Sequence, residues 1–140
     1  MRYVIRADAS LLIGSGHVMR SSAIAEELIS RGEQVIFVGQ ITGLPWVEER
    51  ITSLGFSQIC NNPKEFTSNN KTDVLIIDSY LIPVDDDFVL LKKWRRIIAI
   101  VDKQTPEYSC ALRIHPGLDS FWTGQSDIPI LAGPKYIPLR

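Results

Sequence analysis

Short, almost uninterrupted apolar runs alternate along this chain with segments of helical periodicity, and this alternation restricts the fold more than any other feature. Residues 34–39, 74–78 and 97–101 are apolar at nearly every position, which is typical of strands covered on both faces. Residues 17–31 and 85–94 repeat apolar side chains at helical spacing instead. The pattern predicts an α/β fold: a Rossmann-like parallel sheet with right-handed crossovers and helices on both faces.

Turn and breaker residues place the other predicted elements. Gly32 ends the first helix, and Pro45 and Gly55 bound the second. The rest are strands at residues 3–8, 56–60, 110–114 and 128–132, and a short helix around residues 63–66. The 140 residues are expected to form one domain.

Charge and cysteine content restrict the partners and the compartment. A formal net charge of -1 gives no field to attract a nucleic acid or an anionic membrane. Cys60 and Cys110 lack metal-site spacing, so they are predicted to be reduced core residues with no metal and no disulfide. The first strand leaves no room for a signal segment, and no apolar run is long enough to span a bilayer. We therefore expect a cytoplasmic protein with no cofactor.

The loop after the first strand carries the strongest chemical signal. Gly14, Ser15 and Gly16 directly precede a helix, where glycines allow a sharp turn and backbone N–H groups can face an anion. The dinucleotide fingerprint does not fit, because Met19 occupies its third glycine position and no acid follows the second strand. The Walker loop does not fit either, because no Gly-Lys-Ser/Thr sequence is present. The loop is therefore a candidate anion site of another kind.

His17 is the candidate base of this loop. It lies at the start of the helix, where the positive end of the macrodipole disfavours an imidazolium, so a neutral ring able to accept a proton is expected. A lone histidine could equally fill the first helical turn without a chemical role. The two neighbouring glycines favour the functional interpretation.

Other polar residues are expected at the same edge of the sheet. Arg6 and Asp8 share a face of the first strand, and they could pair with each other or orient a ligand. Asp78, Ser79 and Tyr80 follow an interior strand and should emerge near His17 if the two strands are neighbours.

Two further segments contain charged residues that could belong to a site. Residues 85–87 are three acids that open a helix, and capping explains them without a metal ion. Asp102 and Lys103 follow the strand at 97–101 and could face the same crevice or solvate a turn.

Three motifs together resemble a known family. In this sequence they are Arg6-x-Asp8-x5-Gly14-x-Gly16-His17-x2-Arg20, Leu75-Ile-Ile-Asp78-Ser-Tyr80 and Gly133-Pro-Lys-Tyr136. The set resembles the amino-terminal half of the UDP-sugar hydrolases of pseudaminic acid biosynthesis and of the related spore coat polysaccharide biosynthesis proteins. Those proteins are similar to two-lobed glycosyltransferase-B enzymes, including the N-acetylglucosaminyltransferase that forms lipid II.

The resemblance implies that water displaces UDP from the anomeric carbon of a UDP-linked 2,4-diacetamido-2,4,6-trideoxyhexose. It implies His17 as the base and Tyr80 as a second catalytic residue close to the reacting centre. The residues that it implies for substrate binding are Arg6, Asp8, Gly14, Ser15, Gly16, Arg20 and Asp78. Because the relatives bind most of the UDP on a second lobe, residues 1–140 are expected to form the amino-terminal lobe alone. Full activity would then require a second lobe or subunit.

Two other functions remain open. A glycosyltransferase would pass the sugar to an acceptor, and only product analysis without acceptor separates it from a hydrolase. A non-enzymatic binding or receiver module is the third possibility, since Asp8, Asp78 and Lys103 stand at strand ends as in flavodoxin-like receivers. Receivers, however, need adjacent acids after the first strand.

Overall fold

A computed structural model of the chain describes residues 1–68, 72–90, 94–101, 107–117 and 127–138, without the side chains of residues 87 and 90. The elements in chain order are β1 (Arg2–Ala7), β2 (Ala9–Ser10), α1 (Gly16–Ser30), β3 (Gln34–Val38), β4 (Ile41–Thr42), α2 (Pro45–Ser53), β5 (Gln58–Cys60), β6 (Asp73–Asp78), α3 (Asp87–Leu90), β7 (Arg96–Ile100), β8 (Leu112–His115) and β9 (Ile130–Ala132). Two short 3-10 helices cover Pro63–Glu65 and Pro134–Tyr136.

The main sheet has seven strands in the order β5-β3-β1-β6-β7-β8-β9, and every pair in it is parallel. The chain builds outward from β1 in one direction, returns to place β6 beside β1, and then builds outward in the other direction. This is the strand order of dinucleotide-binding sheets, extended at one edge, and it differs from the flavodoxin-like order of receivers. The predicted Rossmann-like α/β fold is confirmed.

Apolar side chains cover both faces of the sheet, as the continuous apolar runs predict. On one face, Val18 and Ala25 of α1 and Val47 and Ile51 of α2 pack with residues of β1 and β3. The opposite face packs against a second set of buried residues, which includes Val4, Phe66, Ile77, Ile82, Phe88, Val89 and Tyr108. Helices therefore lie on both faces, with α1 and α2 on one and α3 on the other.

Several element boundaries differ from the sequence prediction. The third helix begins at Asp87 rather than at residue 85, because Asp86 serves as its cap: Asp86 Oδ1 accepts a hydrogen bond from the Phe88 N–H at 2.8 Å. The remainder of that predicted helix, at residues 91–93, lies outside the described residues, as do Asp102 and Lys103. The sequence pattern also missed the parallel pair of β2 with β4, whose strands are too short for a periodic signal.

Gly39 allows two loops to approach at the carboxyl edge of the sheet. A Cβ at this position would lie 1.8 Å from the backbone oxygen of Ala7, so only glycine fits between the ends of β1 and β3. Next to it, Ala9 N donates to Gln40 O at 2.9 Å. The loop after β1 is therefore fastened to the loop after β3.

Two further findings concern the classes of protein that the sequence analysis considered. Across the described ranges, no helix combines the length and apolar character needed to cross a bilayer. Cys60 and Cys110 are free and only partly buried, and both pack against the core rather than within it.

Candidate functional site

The site lies where the direction of sheet building reverses, between the carboxyl ends of β1 and β6. These two strands are hydrogen-bonded neighbours, with Ala7 in register with Asp78. A crevice at such a switch point is the usual ligand site of open parallel sheets. The expected closeness of the loop after β1 to Asp78 is thus confirmed.

The loop after β1 turns sharply before it enters α1. Gly14 has a φ of 77°, which favours glycine, and its N–H donates to Ser10 O at 2.8 Å. Helix α1 then starts at Gly16, so His17 lies in its first turn. The Ser15 side chain makes no capping hydrogen bond, and the first turn contains no acidic residue. The positive helix end is therefore available to an external anion.

The Asp78 carboxylate is the centre of the polar network. It is 1% exposed. Its Oδ1 accepts from His17 Nδ1 at 2.7 Å and from Arg20 Nη2 at 2.5 Å. Its Oδ2 accepts from Arg20 Nε at 2.7 Å and from Ser21 Oγ at 3.3 Å. Each of these donors lies in the first two turns of α1, so the network joins the helix to the end of β6.

This network determines which nitrogen of His17 is available for chemistry. A carboxylate only accepts hydrogen bonds, so Nδ1 must carry the hydrogen and the neutral ring presents its lone pair at Nε2. His17 is 6% exposed. Among the described residues its Nε2 has no hydrogen-bond partner, and this atom is not fully buried. A histidine fixed at Nδ1 by a carboxylate and open at Nε2 has the arrangement of a general base.

Tyr80 covers one side of this histidine. The ring centroids of His17 and Tyr80 are 4.2 Å apart at an interplanar angle of 82°, an edge-to-face contact, and Tyr80 is 36% exposed. The predicted meeting of the two residues is therefore confirmed, and Tyr80 has a surface open to a ligand.

The loop that carries Tyr80 is held from both sides. Ser79 Oγ accepts from Leu81 N at 3.0 Å, and Tyr108 donates its hydroxyl hydrogen to Ile82 O at 2.5 Å. Burial raises the pKa of Tyr108 to about 12, so this phenol stays a donor at neutral pH. Sequence reasoning missed Tyr108, because nothing in its local pattern indicates a contact with residue 82.

Arg6 and Asp8 lie on the opposite face of the sheet from His17. Arg6 Nη1 binds Asp8 Oδ1 at 2.5 Å, which realises the pairing that the sequence left open. The same Asp8 oxygen accepts from Gln40 N at 2.7 Å and so fixes the loop after β3. Arg6 packs against Phe88, with the guanidinium carbon 5.7 Å from the ring centroid. These two residues therefore do not join the Asp78 network.

Comparison with protein-family models, curated proteins and solved structures found no match to this chain. A functional assignment therefore depends on the sequence motifs and on the geometry of their residues.

Proposed function

We propose that this chain is the catalytic-loop lobe of a UDP-sugar hydrolase in which His17 activates the attacking water. The observation that carries the proposal is the His17 ring, whose Nδ1 is fixed by Asp78 and whose Nε2 remains open at the switch point of the sheet. The three motifs that resemble the hydrolases of pseudaminic acid and spore coat polysaccharide biosynthesis supply the substrate class. A UDP-linked diacetamido-trideoxyhexose is the proposed substrate, and the cytoplasm is the proposed compartment.

In the proposed reaction, His17 Nε2 removes a proton from water as the water oxygen attacks the anomeric carbon. The bond between that carbon and the UDP phosphate oxygen breaks, and its electron pair leaves with UDP. The imidazolium that forms is stabilised by the Asp78 carboxylate. Arg20 binds the same carboxylate, and its Nη2 lies 3.4 Å from His17 Nδ1, so Asp78 faces both the guanidinium and the imidazole ring.

The loop before α1 and Tyr80 would bind the substrate. The turn from Gly14 to Gly16 and the uncapped start of α1 suit the leaving diphosphate, whose charge the helix end stabilises. Tyr80, which is 36% exposed, would contact the sugar beside the reacting carbon. Most of the uridine contacts would come from a second lobe or subunit.

The burial and hydrogen bonds of Asp78 argue against a receiver function. A phosphoacceptor aspartate must reach a phosphodonor, whereas Asp78 is buried and both its oxygens are occupied by donors of α1. The strand order also differs from that of receivers.

The test is release of UDP and free sugar from the UDP-sugar without any acceptor, measured by NMR for the wild type, His17→Ala and Tyr80→Phe. Loss of a general base should lower turnover by roughly 10²–10⁴-fold while binding of the UDP-sugar, followed by thermal shift, stays largely intact. Turnover that requires an added acceptor would indicate a transferase. Equal turnover in wild type and His17→Ala would refute the proposed base.

A further inference from the structure

Arg2, Arg6 and Arg20 each pair with an aspartate, but Arg6 uses a different part of its guanidinium from the other two. Arg2 and Arg20 each direct Nε and Nη2 side-on at one carboxylate, Asp73 and Asp78 respectively, at distances from 2.5 to 2.7 Å. This is the bidentate fork that matches a carboxylate or a phosphate. Arg6 instead uses only Nη1, towards Asp8.

The Nε–Nη2 edge of Arg6 is open. Among the described residues neither of these nitrogens has a hydrogen-bond partner, and Nε is a fully buried unpaired atom. The Arg6 side chain is only 10% exposed, less than those of Arg2 at 29% and Arg20 at 20%. The most buried of these three arginine side chains is thus the one with the fewest hydrogen bonds to a carboxylate, an arrangement that disfavours the ligand-free state.

We propose that this edge of Arg6 is a binding site for an oxyanion, the carboxylate or phosphate group of a small molecule. Two oxygens of such a group would accept from Nε and Nη2, as the aspartates do at Arg2 and Arg20. Water supplies one oxygen and no charge, so it satisfies the fork less well than an oxyanion does.

The neighbours of Arg6 hold its guanidinium in one orientation. Phe88 packs against the guanidinium, and Asp8 fixes its Nη1 end while also holding Gln40, so the fork is oriented before any ligand arrives. Nη2 is not among the fully buried unpaired atoms, so it is the end of this edge that solvent can reach. Among the described residues Tyr108 makes no hydrogen bond to Arg6, and its hydroxyl donates to Ile82 O.

This site is separate from the proposed catalytic site. Arg6 packs with Phe88 on one face of the sheet, whereas Asp78 binds α1 on the other. The inference therefore requires neither a UDP-sugar nor His17 as a base, and each can fail without the other.

The test is an NMR titration of the arginine Nε–H signals with inorganic phosphate and, separately, with acetate, at constant ionic strength. The Arg6 signal, assigned by its loss in Arg6→Lys, should shift and saturate, while those of Arg2 and Arg20 stay fixed because their forks are filled. Saturation by phosphate alone or by acetate alone identifies which oxyanion the site selects. Arg6→Lys should weaken the phosphate-induced thermal shift by about tenfold or more in apparent Kd, since a lysine cannot form the fork.

An unmoved Arg6 signal at high phosphate and acetate would overturn the proposal, as would equal shifts of all arginine signals, which indicate a general salt effect. The wild-type titration decides even if Arg6→Lys fails to fold, since Arg2 and Arg20 serve as internal controls. His17→Ala should leave the Arg6 titration unchanged, which separates this site from the proposed hydrolase.

Discussion

Each end of strand β6 has a buried aspartate bound by an arginine, but only one end also binds a histidine. Asp73 at its amino end and Asp78 at its carboxyl end are 0% and 1% exposed, and each is bound side-on by the Nε and Nη2 atoms of an arginine. At the amino end the arginine is Arg2, which is the register partner of Asp73 on β1. The hydrogen bond that Arg2 donates to Asp73 raises the pKa of Arg2, so this pair stays charged and joins two strands.

At the carboxyl end the cation comes from a helix instead, and it brings a titratable ring with it. Arg20, His17 and Ser21 lie within two turns of α1, and all three bind Asp78. The arginine leaves one carboxylate oxygen with room for Nδ1 of the histidine. A buried aspartate–arginine pair is therefore structural by itself. It becomes a candidate site when a histidine shares the carboxylate at the switch point of the sheet.

The largest expected effect tests whether the two ends are equally important to stability. Asp73→Asn and Asp78→Asn each place an amide against a guanidinium that was bound bidentately. Removing one partner of a buried ion pair should lower the free energy of unfolding by about 3–5 kcal/mol in each case. Urea unfolding of both variants measures the two losses, provided that the dependence of the unfolding free energy on urea concentration is the same as in the wild type.

The comparison would break if either variant lost less than about 1 kcal/mol, since an exposed pair behaves that way. Arg31→Ala is the matched control, because Arg31 pairs with Glu27 at 2.6 Å on the surface, with both side chains more than half exposed. Its unfolding curve should nearly coincide with that of the wild type.

The second prediction concerns chemistry at one end only. In the wild type, His17 should populate the tautomer with hydrogen on Nδ1, because Asp78 accepts that hydrogen. Nitrogen chemical shifts of the neutral ring distinguish the two tautomers. Asp78→Ala should shift the ring towards the form with hydrogen on Nε2, which free imidazole side chains prefer, whereas Asp73→Ala should leave it unchanged. A wild-type ring with hydrogen on Nε2 would contradict the proposed base.

The third prediction is a pH effect on the hydrogen bond between Tyr108 and the loop after β6. Tyr108→Phe removes the bond to Ile82 O and should cost about 1 kcal/mol at pH 8. The raised pKa of Tyr108, about 12, means that the unfolded chain loses this proton first, so the wild type loses stability as the pH rises from 10 towards 12. The variant lacks that loss, and the stability difference between the two proteins should narrow over this interval. A constant difference in denaturant unfolding would show that burial does not perturb Tyr108.

Much of the architecture was predictable because its signals are local. The runs at β3, β6 and β7 are apolar at successive positions, as expected of strands that are covered on both faces. The glycines on either side of Ser15 mark the turn into α1. The nearness of Asp78 to His17 followed from topology, since strands on either side of the switch point end at one edge.

The rest depended on three-dimensional relations that single residues do not encode. Arg20 and Ser21 lie three and four positions after His17, a spacing that places them on one helix face, but only the docking angle of α1 makes all three meet Asp78. The family resemblance implies Arg6 and Asp8 for substrate binding, whereas their sequence positions leave open whether they pair with each other or orient a ligand. Strand alternation gives their face only once the strand's orientation in the sheet is known.

The smallest expected effect separates a contact with the site from an ordinary helical contact. Ser21 and Ser22 are adjacent and both buried, but Ser21 Oγ donates to Asp78 Oδ2 at 3.3 Å, whereas Ser22 Oγ donates to Val18 O of its own helix at 2.7 Å. Ser21→Ala should cost about 0.5–1 kcal/mol. Ser22→Ala should stay within about 0.5 kcal/mol of the wild type, because alanine favours the helix and the carbonyl keeps its backbone partner. Only Ser21→Ala should also shift the NMR signals of His17, since only this serine shares the carboxylate with the ring. A larger loss for Ser22→Ala would mean that helix packing, and not the Asp78 network, determines stability at this end of β6.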